Sequence, residues 1–451
     1  MKVVIKMEVI VIGGIAAGMS VAAKAARTNK NARITVIEKE NFISFGACGL
    51  PYYIGNQFSD AGNMFARTPE QMEDSGINLM LEHEVINLDF SNKILQVKNL
   101  KTNEIFNKNY DKLMIATGAT PIIPEIFNKD VDNIYTITKL AKADKLKANL
   151  STYNNVAVIG GGFIGVEVAE QLAHLGKKVS LIESQKTVLS SVFDTEISEN
   201  IYNALSAKGI KVLVDESVES LITELKKITE VVTTKQKIAV DAVVIAVGFK
   251  PATSFIQDKA LEKFSNGAII IDKFGRTTIK DVFAAGDCAT VYHQQLGNIY
   301  LPLATTANKL GRLIGVNIVS DESDYEEFIG TLGSCAIKVG DFEAGRTGLT
   351  EHLAREKGIK YGITTVQANN HTNYWAGQTK ITMKLVYEKD TKVLLGAQVF
   401  GKSDAVLRLT GLTTAIHAKL TTKEIGFIDY AYAPPFSSTW EAINVVANTA
   451  K

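Results

Sequence analysis

Asn155 to Glu183, NVAVIGGGFIGVEVAEQLAHLGKKVSLIE, is the stretch whose reading decides the fold. Its opening, Asn155 to Ile159, reads as a strand that leads into the glycines. Gly160-Gly161-Gly162-Phe163-Ile164-Gly165 then matches G-x-G-x-x-G in full, a helix is predicted through Leu175, and a strand from Lys178 to Ile182 ends at Glu183. Such glycines let backbone N–H groups approach a pyrophosphate at the positive end of a helix, and the acid accepts from ribose hydroxyls. A single turn of this kind also serves tight helix packing alone.

A second copy weighs against packing alone. VIVIGGIAAG, Val9 to Gly18, supplies Gly13, Gly14, Ala16 and Gly18 with Ile15 at the middle glycine. A helix is predicted through Arg27, and the strand Arg33 to Ile37 ends at Glu38, followed by Lys39. Two turns, each with its acid about 20 positions on, imply two nucleotide sites.

Between and beyond them, KLMIATGATP (Lys112–Pro121) and DAVVIAVGFKP (Asp241–Pro251) read as buried strands that carry the chain across between nucleotide domains. TIKDVFAAGDCA (Thr278–Ala289) delivers Asp287 to a strand end, where it either hydrogen-bonds a ligand polyol or caps a helix. Leu301 to Ile318 is expected to be helical. Past residue 325, Ile381 to Tyr387 and Val393 to Phe400 form a predicted hairpin around EKDTK, Asp404 to Ala418 has helical spacing, and the prolines of YAYAPPFSSTW (Tyr430–Trp440) forbid regular structure.

Cys48 lies in NFISFGACGLPYYIGNQ, Asn41 to Gln57. If it opens the apolar helix predicted there, the helix N-terminus favours thiolate over thiol. The bland alternative is a small buried hydrophobe. Cys288 and Cys335 sit in apolar strand contexts and are expected to be structural.

Composition excludes several classes. With 49 Lys+Arg against 48 Asp+Glu, the net charge of +1 gives no reason to expect nucleic acid as a partner. Three scattered cysteines make neither a disulfide framework nor a zinc site, and the six histidines show no ligand spacing, so no metal is expected. No apolar run approaches the roughly 18 residues of a membrane span. MKVVIKMEVIVIGG reads as a buried strand and not a signal peptide, with Met7 as an alternative start to Met1. A cytoplasmic location is expected.

With these residues in view, the chain resembles the flavin-dependent pyridine nucleotide–disulfide oxidoreductases over essentially its whole length. Gly13 to Gly18 with Glu38, ATGATP, Gly160 to Gly165, AVGFKP and AAGDCA fall in that family's order and spacing. The resemblance implies an α/β fold with two Rossmann-like domains, binding FAD and NAD(P)H, and a C-terminal α+β domain that forms a homodimer. The implied boundaries are 1–118 and 248–325 for the FAD domain, 119–247 for the NAD(P)H domain and 326–451 for the dimerisation domain. FAD would be held by Gly13, Gly14, Ala16, Gly18, Glu38, Lys39, Thr117, Gly118, Asp287 and Thr305. Gly160, Gly162, Ile164, Gly165, Glu183 and Gly248 would hold NADH; Glu183 repels a 2′-phosphate, while Lys186 nearby leaves NADPH open.

Tyr53 stands where the lipoamide and glutathione reductases have a second redox cysteine. The resemblance is therefore to the single-cysteine branch of coenzyme A-disulfide reductases, NADH oxidases, NADH peroxidases and persulfide reductases. SFGACGLPYYIG is similar to the SFANCGLPYYIG of the coenzyme A-disulfide reductases, HTNYWAG to their HANYYPG, and YAPPFS to their tail. By this likeness Cys48, Tyr374 and Tyr432 would be catalytic, Tyr432 being contributed by the partner subunit. Coenzyme A would be bound by Lys24, Arg27, Ser44, Asn308 and Arg312, with Arg67 a lesser candidate; Lys24 and Arg27 equally suit compensation of a helix dipole. Departures are Ala47 for the asparagine before the cysteine, Trp375 and Ala376 for Tyr-Pro, and Ala16 where oxidases and peroxidases usually place histidine. No rhodanese domain is expected after Lys451. The expected activity passes electrons from NADH through FAD to Cys48 and then to coenzyme A disulfide, with oxygen or persulfide as the alternative acceptor and a redox sensor as the third reading.

Overall fold

The computed structural model describes residues 7–128 and 130–451; the first six residues, on which the choice of start codon and the beginning of the N-terminal run fall, lie outside them. The chain divides into two compact units. Unit 1 comprises the chain up to Gly49, Ser59–Ile122 and Phe249–Thr331, and unit 2 comprises Leu50–Phe58, Ile123–Gly248 and Leu332–Lys451.

Unit 1 is built on a five-stranded parallel sheet in the order Val282–Ala284, Lys112–Ile115, Glu8–Ile12, Arg33–Glu38, Ile77–Leu81. Val9, Ile10 and Val11 are fully buried, which is why the first strand reads as an unbroken apolar run. The Ala16–Thr28 helix packs on the Ala304–Asn317 helix so closely that a Cβ on Gly311 would lie 2.7 Å from the Ala17 carbonyl oxygen.

Unit 2 contains a second five-stranded parallel sheet with the corresponding order: Ile134–Thr136, Ala242–Ile245, Asn155–Ile159, Lys178–Ile182, Lys211–Leu213. Its C-terminal part is an antiparallel sheet, Cys335–Val339, Phe342–Gly348, Leu394–Gly401, Lys380–Glu388, Tyr361–Asn369, with the Ala405–His417 and Ala442–Asn448 helices. The α/β class with two Rossmann-like sheets and a separate C-terminal α+β part is thus the architecture observed. No helix among the described residues is long and apolar enough to cross a membrane.

Three expectations change in detail. KLMIATGATP is two strands, Lys112–Ile115 and Ala119–Pro121, and the second pairs antiparallel with Phe249–Pro251, so the two crossing segments bind each other. No helix begins at Asp287, because the next one starts at Ala304; the capping alternative falls away. Cys48 lies within a 3-10 turn, Ala47–Gly49, and the helix that follows, Leu50–Ile54, is little more than one turn. So short a helix sums too few peptide dipoles to carry the expected argument for a thiolate.

Candidate active site

The two glycine turns are built alike. Gly13 and Gly160 have φ of +103° and +104°, where a Cβ would lie 2.2 Å from the Ala116 carbonyl oxygen and 2.4 Å from that of Ala246. A Cβ on Gly18 would lie 1.8 Å from the Gly13 oxygen, and one on Gly165 1.8 Å from the Gly160 oxygen. Only glycine permits this approach of helix, turn and strand. Gly13 N–H donates to Ile37 O at 2.9 Å and Gly160 N–H to Ile182 O at 2.8 Å, so each turn closes on the strand that carries its acid.

The acids are placed alike as well. Glu38 accepts from the Gly14 N–H at 2.6 Å and the Glu40 N–H at 2.9 Å; Glu183 accepts from the Gly161 N–H at 2.6 Å and the Gln185 N–H at 2.7 Å. Burial raises the Glu38 carboxyl above its ordinary range, against the two N–H bonds that lower it. Burial also raises Asp287. The Thr117 hydroxyl is buried without a hydrogen-bond partner, and Gly118 and Gly248 have φ of +69° and +112°. Glycines that leave no room for a Cβ and an acid hydrogen-bonded to each turn fit a dinucleotide at both turns, and the unpaired Thr117 hydroxyl adds a polar group in unit 1. Lys39 and Thr305 are exposed; Ala16 and Ile164 lie in the first turns of the helices after the respective glycine turns.

Cys48 is exposed and no cysteine forms a disulfide. Its loop is fixed by Ser44, which holds φ of +54°, donates its N–H to Gly14 O at 2.9 Å and accepts from Ala66 N–H at 3.0 Å. That non-glycine left-handed backbone links the cysteine loop to the first turn. Arg67 adjoins it, its guanidinium donating to Ala66 O at 2.8 Å. Burial pushes the Cys288 thiol up to about 11 and raises that of Cys335, as suits structural residues.

Lys24, Arg27, Asn308 and Arg312 come together on one packed helix pair, Ala16–Thr28 with Ala304–Asn317, which the Ser20 hydroxyl joins by donating to Asn308 Oδ1 at 2.9 Å. Tyr374 and Tyr432 are brought together in unit 2, their hydroxyls 3.2 Å apart and both exposed. One chain thus presents the two phenols as a pair. The hydrogen bond from Tyr374 raises the Tyr432 phenol.

Sequence reasoning missed Glu167. It lies on the Phe163–His174 helix, accepts from the Tyr52 hydroxyl at 3.3 Å, and is pushed up to about 7 by burial. The signal was an acid inside the apolar spacing VEVA.

Residues 7–310 match the family model described as pyridine nucleotide-disulphide oxidoreductase, and residues 334–443 match that family's dimerisation domain. An NADH oxidase of Enterococcus faecalis is 31% identical over 98% of this chain and 99% of its own. An NAD(P)H coenzyme A polysulfide/persulfide reductase of Pyrococcus horikoshii is 32% identical over 99% of both. Among solved structures, reduced Bacillus anthracis CoADR-RHD superposes with a TM-score of 0.93 at 30% identity, covering 98% of this chain and 79% of that one. The chain belongs to the pyridine nucleotide-disulphide oxidoreductase family. It is an NAD(P)H-dependent flavoprotein oxidoreductase with a dimerisation domain.

Proposed function

We propose that this enzyme reduces coenzyme A disulfide with NADH, through Cys48. One observation supports the reading: Cys48 is a free, exposed cysteine while Cys288 is buried, which suits exchange with the sulfur of a small external disulfide. Bound FAD supplies the two-electron relay between nicotinamide and sulfur.

The chain's own residues perform the rest. The Cys48 thiolate attacks one sulfur of the disulfide, the S–S bond breaks, and one coenzyme A leaves as thiolate, which takes a proton. The Tyr374 or Tyr432 hydroxyl donates that proton or a hydrogen bond. The electron pair and proton from NADH then split the Cys48–coenzyme A disulfide, releasing the second coenzyme A and restoring the thiolate. Lys24 and Arg27, with Ser44, Asn308 and Arg312, supply the cations and polar groups that a phosphate-bearing substrate needs. Gly13, Gly14, Ala16, Gly18, Glu38, Lys39, Thr117, Gly118, Asp287 and Thr305 hold FAD, and Gly160, Gly162, Ile164, Gly165, Glu183 and Gly248 hold NADH. The dimerisation domain joins two copies as a homodimer.

Oxygen is the second reading, supported by the NADH oxidase relative, with Cys48 cycling through a sulfenate. Ala16, in place of the histidine usual there, speaks against it. NADH consumption measured with and without coenzyme A disulfide, in air and under argon, separates the two. Consumption that needs oxygen and ignores the disulfide overturns the reductase reading.

A further inference from the structure

We infer that Arg408 is a positioning residue that clamps together the two irregular segments carrying Tyr374 and Tyr432. Tyr374 lies in the loop Asn370–Thr379 between two strands, and Tyr432 in the tail between Ile428 and Glu441; neither segment contains a helix or strand. A hydrogen bond between two exposed hydroxyls competes with water and contributes little by itself. Something buried has to hold the 3.2 Å separation.

The Arg408 side chain is 9% exposed and pairs with Glu441, also 9% exposed. Its Nη2 donates to Asn370 O, the first residue of the loop, and to Phe436 O in the tail at 3.2 Å, while Nη1 reaches Asp404 O at 3.2 Å. Glu441 in turn accepts from Ile443 N–H at 2.5 Å and so caps the final helix. One planar fork therefore ties loop, tail and helix start to a single point. Thr372 adds a lesser tie, its hydroxyl donating to Pro434 O at 3.1 Å. A lysine has no fork and cannot reach several acceptors in one plane.

The catalytic half of this inference rests on the proposed use of the two phenols, so its test separates clamp from chemistry. The chain's only two tryptophans, Trp375 and Trp440, sit on the two clamped segments and report their mobility. In the Arg408→Ala holoenzyme, acrylamide quenching of tryptophan fluorescence rises by twofold or more. Coenzyme A disulfide turnover falls about tenfold in kcat with KM for NADH unchanged, and NADH oxidation by an artificial electron acceptor is retained. Arg408→Lys fails to rescue either property. Added to Tyr374→Phe, the Arg408→Ala change lowers turnover little further, because the pair is already broken.

Should Arg408→Ala not fold, the doubly neutral Arg408→Met with Glu441→Gln keeps the helix cap and leaves no lone buried charge, and the same measurements apply. Quenching and turnover both at wild-type levels in a folded variant overturn the clamp. Raised quenching with undiminished turnover upholds the clamp and overturns the catalytic use of the phenols.

Discussion

The hydroxyl of Tyr52 donates to the Glu167 carboxylate at 3.3 Å, which ties the short helix directly after Cys48 to the helix that follows the second glycine turn. Burial lifts that carboxyl from 4.5 to about 7. The folded state then holds more protons than the unfolded chain between these values, so stability is full below about 4.5 and is lost as pH rises through about 7. The amount is on the order of 3 kcal/mol, from about 1.4 kcal/mol per unit. Denaturant midpoints of the wild type and Glu167→Gln, followed from pH 5 to pH 8, are expected to diverge by that order in favour of the variant. A difference constant with pH means that the carboxyl titrates normally.

Gly18→Ala and Gly165→Ala test the two turns separately. Each adds a methyl group 1.8 Å from a carbonyl oxygen, and overpacking of that kind costs about 1–3 kcal/mol or more. Gly18→Ala is expected to purify with little bound flavin, visible as lost yellow absorbance. Gly165→Ala keeps the colour and loses NADH affinity. The reverse pattern would exchange the two nucleotide assignments.

At the end of the second acid-bearing strand, Glu183 accepts two backbone N–H bonds, which hold its carboxylate against the second glycine turn. Glu183→Arg is expected to shift the kcat/KM ratio of NADPH to NADH by about tenfold or more, some 1.4 kcal/mol. An unchanged ratio removes Glu183 from the ribose.

Serine in place of Cys48 keeps the volume and removes the redox sulfur. Turnover of coenzyme A disulfide is expected to vanish while NADH reduction of an artificial electron acceptor continues. Full disulfide activity in this variant is incompatible with the proposed cycle.

Lys384 is 1% exposed and meets Asp194 at 3.3 Å, Glu196 at 3.0 Å and Glu351 at 2.7 Å. Burial lowers its proton affinity, but the three carboxylates prevail and raise it. Removing the cation leaves the buried Asp194 with neutral donors alone, the Gln398 amide and the N–H groups of Glu351 and His352, so Lys384→Ala is expected to lose about 3–5 kcal/mol in urea unfolding. A loss below about 1 kcal/mol would show the network to be as weak as a surface pair.

What the sequence made legible is what short-range pattern encodes. Asn155–Ile159 and Lys178–Ile182 match the observed strands residue for residue, because each carries a short, mostly buried apolar run and glycines punctuate both. The Cys48 segment misled because LPYYI has helical apolarity, yet Gly49 before it and Gly55 after it leave room for about one turn. Arg408 stayed invisible for a different reason. Its partners Asn370, Phe436 and Glu441 lie 28 to 38 positions away in segments without periodicity, and only the fold brings them to one guanidinium. The pairing of Tyr374 with Tyr432, 58 positions apart, has the same origin.

The edge strand Val282–Ala284 of unit 1 pairs with Lys112–Ile115, which leaves the ribosome long before it. At roughly 5–20 residues per second, the intervening stretch of about 170 residues takes about 10–30 s to synthesise. During that time the first sheet has four of its strands and a bare margin along Lys112–Ile115, while every strand of the second parallel sheet, Ile134 to Ile245, is made before the interval ends. Biogenesis therefore runs out of step with chain order: the sheet of unit 2 can close first, while the nascent sheet of unit 1 waits with an unpaired edge open to mispairing.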